Sequence, residues 1–194
     1  MKQHFIPATI WVITSGFSEG HPIRRREPTI NDIPLQKLYT SEVGRILYNA
    51  VVIPPCKMAI EMACTLTCES DVSVATSPRL MFHEGDPRAL EWVQALFQAR
   101  KFVTPIKDWE RFAPGPFRAL KGIAEDALHW IGVEYQAIAP SAQQVLAIVD
   151  PDIASMLCFM MGERKKMPFG PAEGFVLKWE NGQYVVSSTF ATFE

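Results

Sequence analysis

Residues 143–186 constrain the fold more than any other stretch, because the order of their structural elements can be read from the pattern of residues. The run Gln143–Val149 is short, apolar and rich in branched side chains, which is typical of a buried strand. Asp150 is a good N-cap, and Pro151 suits the first helical position, where its missing N–H is not needed. The pattern therefore predicts a helix that runs to Met161.

The same stretch ends in a predicted hairpin. Gly162 can close the helix in the left-handed conformation. Asn181-Gly182 favours a type I′ turn, and it separates two apolar runs, Phe175–Trp179 and Gln183–Val186. The order is therefore strand, helix, loop and hairpin.

The loop between helix and hairpin is basic. Arg164, Lys165 and Lys166 lie between Gly162 and Gly170, and glycine lets a backbone approach a partner closely. Three adjacent cations cannot all pair inside a core, so they face either water or an anion. A second cluster, Arg24-Arg25-Arg26, lies in a predicted irregular segment and leaves the same two interpretations open.

Composition limits the class of protein. With 194 residues, 48% hydrophobic and 21% charged, the chain can form one sizeable core, so we predict a single domain over 1–194, with room for a small helical insertion at about 86–132. The net charge of -2 excludes a generally basic nucleic-acid binder, so any polyanion site must be local.

The sequence predicts a cytoplasmic protein with no membrane partner. No run approaches the roughly 18–20 apolar residues of a membrane span, and the N-terminus lacks the apolar region of a signal peptide. The four cysteines lack the spacing of a zinc site, so we expect buried, reduced thiols and no bound metal.

The remaining elements follow from periodicity and breakers. We predict strands over Phe5–Thr14, Met58–Thr67 and Asp71–Ala75, although the spacing of Met58–Cys68 also fits a short helix. Helices are predicted from Ser41 to about Ala50, from Asp86 to about Lys101 and over Phe117–Ile131, with a loop at 102–116.

No familiar catalytic motif is present. The chain lacks a phosphate-binding P-loop, a dinucleotide fingerprint, a Gly-x-Ser-x-Gly elbow and a His-Glu-x-x-His helix, so no cofactor is predicted. The histidines, His4, His21, His83 and His129, are scattered. The residues alone therefore point to no catalytic group.

The C-terminal stretch resembles a known family. Val149-Asp150-Pro151, the following helix, the basic run Gly162–Lys166, Phe169-Gly170 and the strand Gly174–Trp179 are similar to the end of small RAMP-superfamily subunits of CRISPR effector complexes. The likeness is greatest to the subunit of type IV systems that binds the 5′ handle of the guide RNA. It covers about a fifth of the chain, and Gly170–Gly174 is longer than the compact glycine loop of that family.

The resemblance implies an α+β fold with a ferredoxin-like or RRM-like antiparallel sheet, packed helices and a helical insertion. It implies a noncatalytic, cytoplasmic subunit in antiviral defence whose partners are guide RNA, neighbouring effector subunits and target DNA near the handle. The implied RNA-binding residues are Gly162, Arg164, Lys165, Lys166, Phe169, Gly170, Arg24, Arg25, Arg26, Arg118 and Lys121.

In this interpretation the cations neutralise phosphates and Phe169 stacks on a base.

Two alternatives remain open. Relatives on the same fold process precursor RNA, which would make the chain an endoribonuclease with His21 as its acid–base group. The third interpretation is a small phage- or plasmid-encoded interaction or inhibitor protein that binds no nucleic acid.

Overall fold

The computed structural model describes residues 8–15, 38, 40–67, 71–82, 85–99, 106–163, 169 and 172–190, with only the backbone of Phe97, Ala99 and Lys107. Six strands and five α-helices lie in these ranges. The strands are β1 (Thr9–Thr14), β2 (Ala50–Ile53), β3 (Ser73–Thr76), β4 (Gln144–Val149), β5 (Gly174–Glu180) and β6 (Gln183–Phe190). The helices are α1 (Lys57–Thr67), α2 (Pro87–Ala99), α3 (Ile106–Phe112), α4 (Pro114–Ile138) and α5 (Pro151–Met160).

The strands form one mixed sheet in the order β3-β2-β4-β1-β5-β6. β3, β2, β4 and β1 are mutually parallel, whereas β5 pairs antiparallel with β1 and with β6. The predicted antiparallel ferredoxin-like sheet is therefore wrong. The physical reason lies in the apolar runs: β2 is buried at every position and β1 and β4 nearly so, as in parallel strands covered on both faces.

Helices cover both faces of the sheet. Alternate residues of β1 enter opposite cores, with Ile10 and Val12 on one side and Trp11 and Ile13 on the other. The first core is closed by α2 to α5. The second is closed by α1 and by the connection that contains Leu38, Val43 and Tyr48.

The local signals of the C-terminal stretch are confirmed. The Asp150 carboxylate accepts from the Asp152 N–H at 3.0 Å, and Pro151 opens α5. Gly162 follows that helix with φ of 88°. Asn181 and Gly182 have φ of 51° and 85°, as the predicted type I′ turn between β5 and β6 requires.

Other predicted elements are wrong. Ser41–Ala50 contains a short 3-10 helix at Val43–Arg45 and then the start of β2, because Tyr48 turns into the second core. Lys57–Thr67 is a helix, so the second of the two interpretations of that run is the correct one. The loop predicted at 102–116 contains α3, and α4 extends well beyond both ends of Phe117–Ile131.

The helices α2, α3 and α4 lie between β3 and β4 along the chain. α4 packs against α2, α3, α5 and the strands β2 and β3. The single-domain organisation with a helical insertion at about 86–132 stays a prediction. Among the described helices, none is both long and apolar enough to cross a membrane.

A buried hydrogen bond joins the layer of α2 to the start of α5. The Trp92 indole Nε1 donates to the Asp152 carboxylate at 2.8 Å, and Trp92 packs on Trp109 with a ring-centroid distance of 4.8 Å. Since Asp152 lies in the first turn of α5, this bond fixes that turn against the helical layer.

Gly174 provides a test of the sheet. A Cβ at this position would overlap the Val12 carbonyl oxygen and crowd the Phe190 ring at 2.9 Å, so Gly174→Ala must displace β5 from β1. We expect a loss of about 3 kcal/mol or more in the free energy of unfolding, measured with urea. Gly132→Ala is the control, because its nearest atom lies at 3.9 Å inside α4 and alanine favours a helix. A Gly174→Ala protein as stable as Gly132→Ala would contradict the β1–β5 pairing.

Trp92 provides a second test. Trp92→Phe keeps an aromatic ring but removes the N–H, leaving a buried carboxylate oxygen of Asp152 without that donor. We expect a destabilisation of about 1–3 kcal/mol, measured by chemical denaturation. Trp179→Phe is the control, since Trp179 is 45% exposed, and it should change stability by about 0.5 kcal/mol or less. Equal effects of the two substitutions would show that the buried bond contributes nothing.

Candidate functional site

The crevice between the carboxyl ends of β1 and β4 is the candidate site. Between β1 and β2, the described residues Leu38, Val43 and Tyr48 lie in the second core, whereas α5, which follows β4, lies in the first core on the opposite face. Two adjacent parallel strands whose connections depart to opposite sides form a topological switch point. Open α/β sheets bind their ligands at such points.

Ser15 and Asp150 lie side by side at this crevice. Thr14 pairs with Val149 at the last register position of β1 and β4, and the Ser15 N–H donates to the Val149 carbonyl oxygen at 3.0 Å. The next residue of each strand is therefore Ser15 or Asp150. Ser15 is 7% exposed and Asp150 is 1% exposed, so both side chains lie in a largely dehydrated place.

The end of β3 also reaches this crevice. Ser77 follows β3, and its N–H donates to the Ile53 carbonyl oxygen at 2.8 Å. The 3-10 helix Pro78–Leu80 then crosses toward β4, where the Leu80 carbonyl oxygen accepts from the Asp150 N–H at 3.0 Å. The three strand ends thus bring two hydroxyl groups and one carboxylate to the same edge.

Cys56 borders the site after β2. Burial raises the pKa of its thiol, and the negative charge of Asp150 raises it further, while the N–H groups of Ala59 and Met58 lower it. The net shift is upward, so the thiol stays protonated at neutral pH. Cys56 is therefore a poor nucleophile, although its response to Asp150 places that carboxylate close by.

The described residues at this edge of the sheet carry carboxylate and hydroxyl groups. Asp150 and Asp152 supply carboxylates, and Thr14, Ser15 and Ser77 supply hydroxyl groups. His129 is the one histidine in the described ranges, and it lies exposed on α4. His4, His21 and His83 lie outside those ranges. Among the described residues, no three His, Cys, Asp or Glu side chains are grouped as metal ligands.

The predicted RNA-binding residues are mostly outside the described ranges, namely Arg24, Arg25, Arg26, Arg164, Lys165, Lys166 and Gly170. Phe169 is described and is 2% exposed, with its ring 5.6 Å from that of Phe175. Its predicted stacking on a base is wrong, because the ring belongs to the core. Gly162 is exposed at the end of α5.

Arg118 and Lys121 lie on the exposed side of α4. The Arg118 guanidinium donates to the Pro114 carbonyl oxygen at 3.2 Å, and the Lys121 amine lies 3.8 Å from the Glu125 carboxylate. Both pairs are local to the helix. Neither side chain is connected by a described hydrogen bond or ion pair to Ser15 or Asp150.

The sequence did not indicate Ser15 or Ser77 as functional residues, and it indicated Asp150 only as a helix cap. The available signal was positional, since each residue directly follows an apolar run that ends a parallel strand. Recognising that signal requires the strands to be known as parallel, because only then do their carboxyl ends meet at one edge.

No known protein family model matches this sequence, and no curated protein is similar to it in sequence. Solved structures do match its fold. Phosphoglycerate mutase from Bacillus anthracis is 15% identical, with a TM-score of 0.63 over 93% of this chain and 92% of that one. YhfR from Bacillus stearothermophilus is 12% identical, with a TM-score of 0.66 over 97% of this chain and 100% of that one. The α-ribazole phosphatase from Shigella flexneri is 16% identical, with a TM-score of 0.60 over 95% and 96% of the two chains.

These likenesses overturn the resemblance to CRISPR effector subunits. The matches extend over nearly the whole chain, whereas the resemblance was carried by about a fifth of it. The predicted guide-RNA, effector-subunit and target-DNA partners were implied by that resemblance, so they are corrected with it. The endoribonuclease alternative rested on the same resemblance and is corrected with it, and the inhibitor alternative is contradicted by the likeness to phosphatases and a mutase. The prediction of a non-enzyme is also contradicted, because the neighbours whose names state an activity are phosphatases or a mutase. The chain has the fold of the phosphoglycerate mutases and histidine phosphatases.

Proposed function

We propose that this protein is a phosphatase that hydrolyses phosphate monoesters of small molecules. The observation that carries the proposal is the position of Ser15 and Asp150 directly after the paired residues Thr14 and Val149, where a hydroxyl group and a carboxylate follow adjacent parallel strands at the switch point. The fold-level likeness to phosphatases and a mutase over nearly the full chain supports the same class of reaction by analogy.

The proposed reaction uses the two side chains in separate roles. The Ser15 hydroxyl oxygen attacks phosphorus as its proton passes to the Asp150 carboxylate, and the ester P–O bond breaks. The leaving alcohol takes a proton from Asp150. A water molecule then attacks the phosphoserine while Asp150 accepts the proton of that water, and the Ser15 hydroxyl recovers a proton as inorganic phosphate leaves.

A phosphate dianion also needs positive charge, and the described edge supplies mainly carboxylates and hydroxyls. We assign that role to the basic clusters Arg24–Arg26 and Arg164–Lys166, both outside the described ranges. Along the chain, residues 16–37 begin directly after Ser15. Residues 164–168 precede Ala172, whose N–H donates to the Thr14 carbonyl oxygen at 2.8 Å. In this proposal, the anion that these cations bind is the phosphate group of the substrate.

A cytoplasmic location belongs to the same proposal. The three described cysteines, Cys56, Cys64 and Cys158, are free thiols. Burial raises the pKa of Cys158 to about 12, so that thiol is inert. Reduced thiols are typical of proteins in a reducing compartment, where small phosphorylated metabolites are also found.

Asp150→Asn tests the proposed acid–base group. Asparagine caps a helix as well as aspartate does, so α5 should keep its start while the proton acceptor is lost. We expect kcat/KM for p-nitrophenyl phosphate to fall by about 100-fold or more, with little change in melting temperature. Asp71→Asn is the control, because Asp71 is exposed beside the opposite, amino end of β3. Wild-type turnover by Asp150→Asn would reject the assignment.

The nature of the phosphoenzyme tests the nucleophile. After brief exposure to a ³²P-labelled monoester and a denaturing quench, the label should survive acid and be lost in alkali, as a serine ester does. It should be absent from Ser15→Ala and retained by Ser73→Ala, because Ser73 is exposed at the amino end of β3. An acid-labile, alkali-stable label would instead indicate phosphohistidine, and it would move the nucleophile to a histidine outside the crevice described above.

A further inference from the structure

The two edges of the sheet differ. β3 forms one edge and has only four residues, and a very short strand is a common way to keep an edge from pairing with another chain. β6 forms the other edge and has eight residues. Among the described strands β6 pairs with β5 alone, so within that part of the chain the backbone N–H and C=O groups on its outer side have no strand partner.

β6 also lacks the residues that usually protect an edge, which are lysine and proline. Gln183–Phe190 contains no charged residue and no proline, and most of its residues are aromatic or β-branched. It has one irregularity, a register shift against β5 between Val176 and Leu177, where the Ser187 hydroxyl donates to the Val176 carbonyl oxygen at 3.4 Å. The strand is extended on both sides of that shift, so its outer edge can still pair with another strand.

An exposed aromatic side chain lies beside this edge. Trp179 on β5 pairs with Tyr184 on β6, and their rings pack edge to face with a centroid distance of 5.0 Å. Trp179 is nevertheless 45% exposed. A strand added outside β6 would become the cross-strand neighbour of Tyr184 and would cover part of this apolar surface.

The distribution of charge favours a second copy of the same chain as the added strand. Antiparallel pairing of β6 with β6 of another copy follows a two-fold axis, so the strand must be compatible with its own sequence. Because β6 is neutral, no register places like charges opposite each other. The charged residues of the neighbouring strand β5, Lys178 and Glu180, are opposite in sign.

We infer that the protein forms a homodimer in which the β6 strands of two copies pair antiparallel and join the two sheets into one. β5 and β6 separate β1 from this interface, so neither crevice lies against the other copy. The two crevices would open at opposite edges of the joint sheet, because the β1 strands of the two copies run in opposite directions. The dimer is therefore independent of the proposed phosphatase activity.

Sedimentation equilibrium over the micromolar range tests the dimer. The mass should approach twice that of one 21.8 kDa chain, with a dissociation constant on the order of micromolar, because an interface based on one strand is small. Ser187 is exposed near the middle of β6, so Ser187→Lys brings two ammonium groups together near the axis. We expect the dissociation constant to rise by about tenfold or more. Ser187→Glu should have the same effect, and an equimolar mixture of the two variants should associate, because their charges are opposite.

Two controls separate charge at this edge from other effects of substitution. Ser187→Ala removes the hydroxyl without adding a charge, and Ser73→Lys adds the same charge to an exposed position on β3, so both should associate as the wild type does. A wild-type protein that stays monomeric over the whole range overturns the inference, and so does a Ser187→Lys protein that associates as well as the wild type. Loss of association in Ser73→Lys alone would place the contact on β3 and would also overturn it.

Hydrogen exchange of the wild-type protein provides a readout that needs no substitution. Amides of Gln183–Phe190 should exchange more slowly at concentrations above the dissociation constant than below it, whereas those of Ser73–Thr76 should not change. Equal exchange in β6 at both concentrations rejects the pairing.

Discussion

The parallel pairing of β1 with β4 is the interaction on which the rest of the structure depends. It joins strands that are far apart in the sequence, in register from Thr9 opposite Gln144 to Thr14 opposite Val149. The Trp11 indole adds a bond to the Gln144 side chain at 2.8 Å. Because both strands are buried on both faces, a slip of one residue would turn every apolar side chain toward the wrong core. The fixed register is what places Ser15 beside Asp150.

The two faces of the sheet have different tasks. The face that carries α1 has the second core, in which Trp11 and Tyr48 pack among aliphatic residues. The other face carries the helices between β3 and β4, which supply the Trp92 bond to Asp152. The helical layer is therefore tied to the crevice at the first turn of α5.

Short-range chemistry in this chain could be predicted from its sequence. The Asp150-Pro151 helix start and the Asn181-Gly182 turn depend on neighbouring residues alone, and both are present. Long-range pairing could not be predicted, because an unbroken apolar run indicates a strand buried on both faces but does not identify its partner strands. If β1 and β4 were antiparallel, their carboxyl ends would lie at opposite edges of the sheet, and Ser15 would not lie beside Asp150.

The burial of individual side chains could not be predicted from the sequence either. Phe169, between glycines in a basic segment, looked like an exposed ring. Its N–H donates to the Ser155 hydroxyl at 3.2 Å and its ring packs on Phe175, so the loop returns to the core. The secondary structure of Lys57–Thr67 was ambiguous for a similar reason. The spacing of its apolar residues fits a strand about as well as a helix, and only the packing of α1 on the sheet decides between them.

A crystal structure of the protein with orthovanadate, which mimics phosphate in its transferring geometry, tests the central claim most directly. The account predicts one vanadate in the crevice between the ends of β1 and β4, with the Ser15 hydroxyl oxygen apical to vanadium and the Asp150 carboxylate within hydrogen-bond distance of the Ser15 oxygen. Vanadate bound elsewhere, or a crevice that stays empty at saturating vanadate, would contradict it.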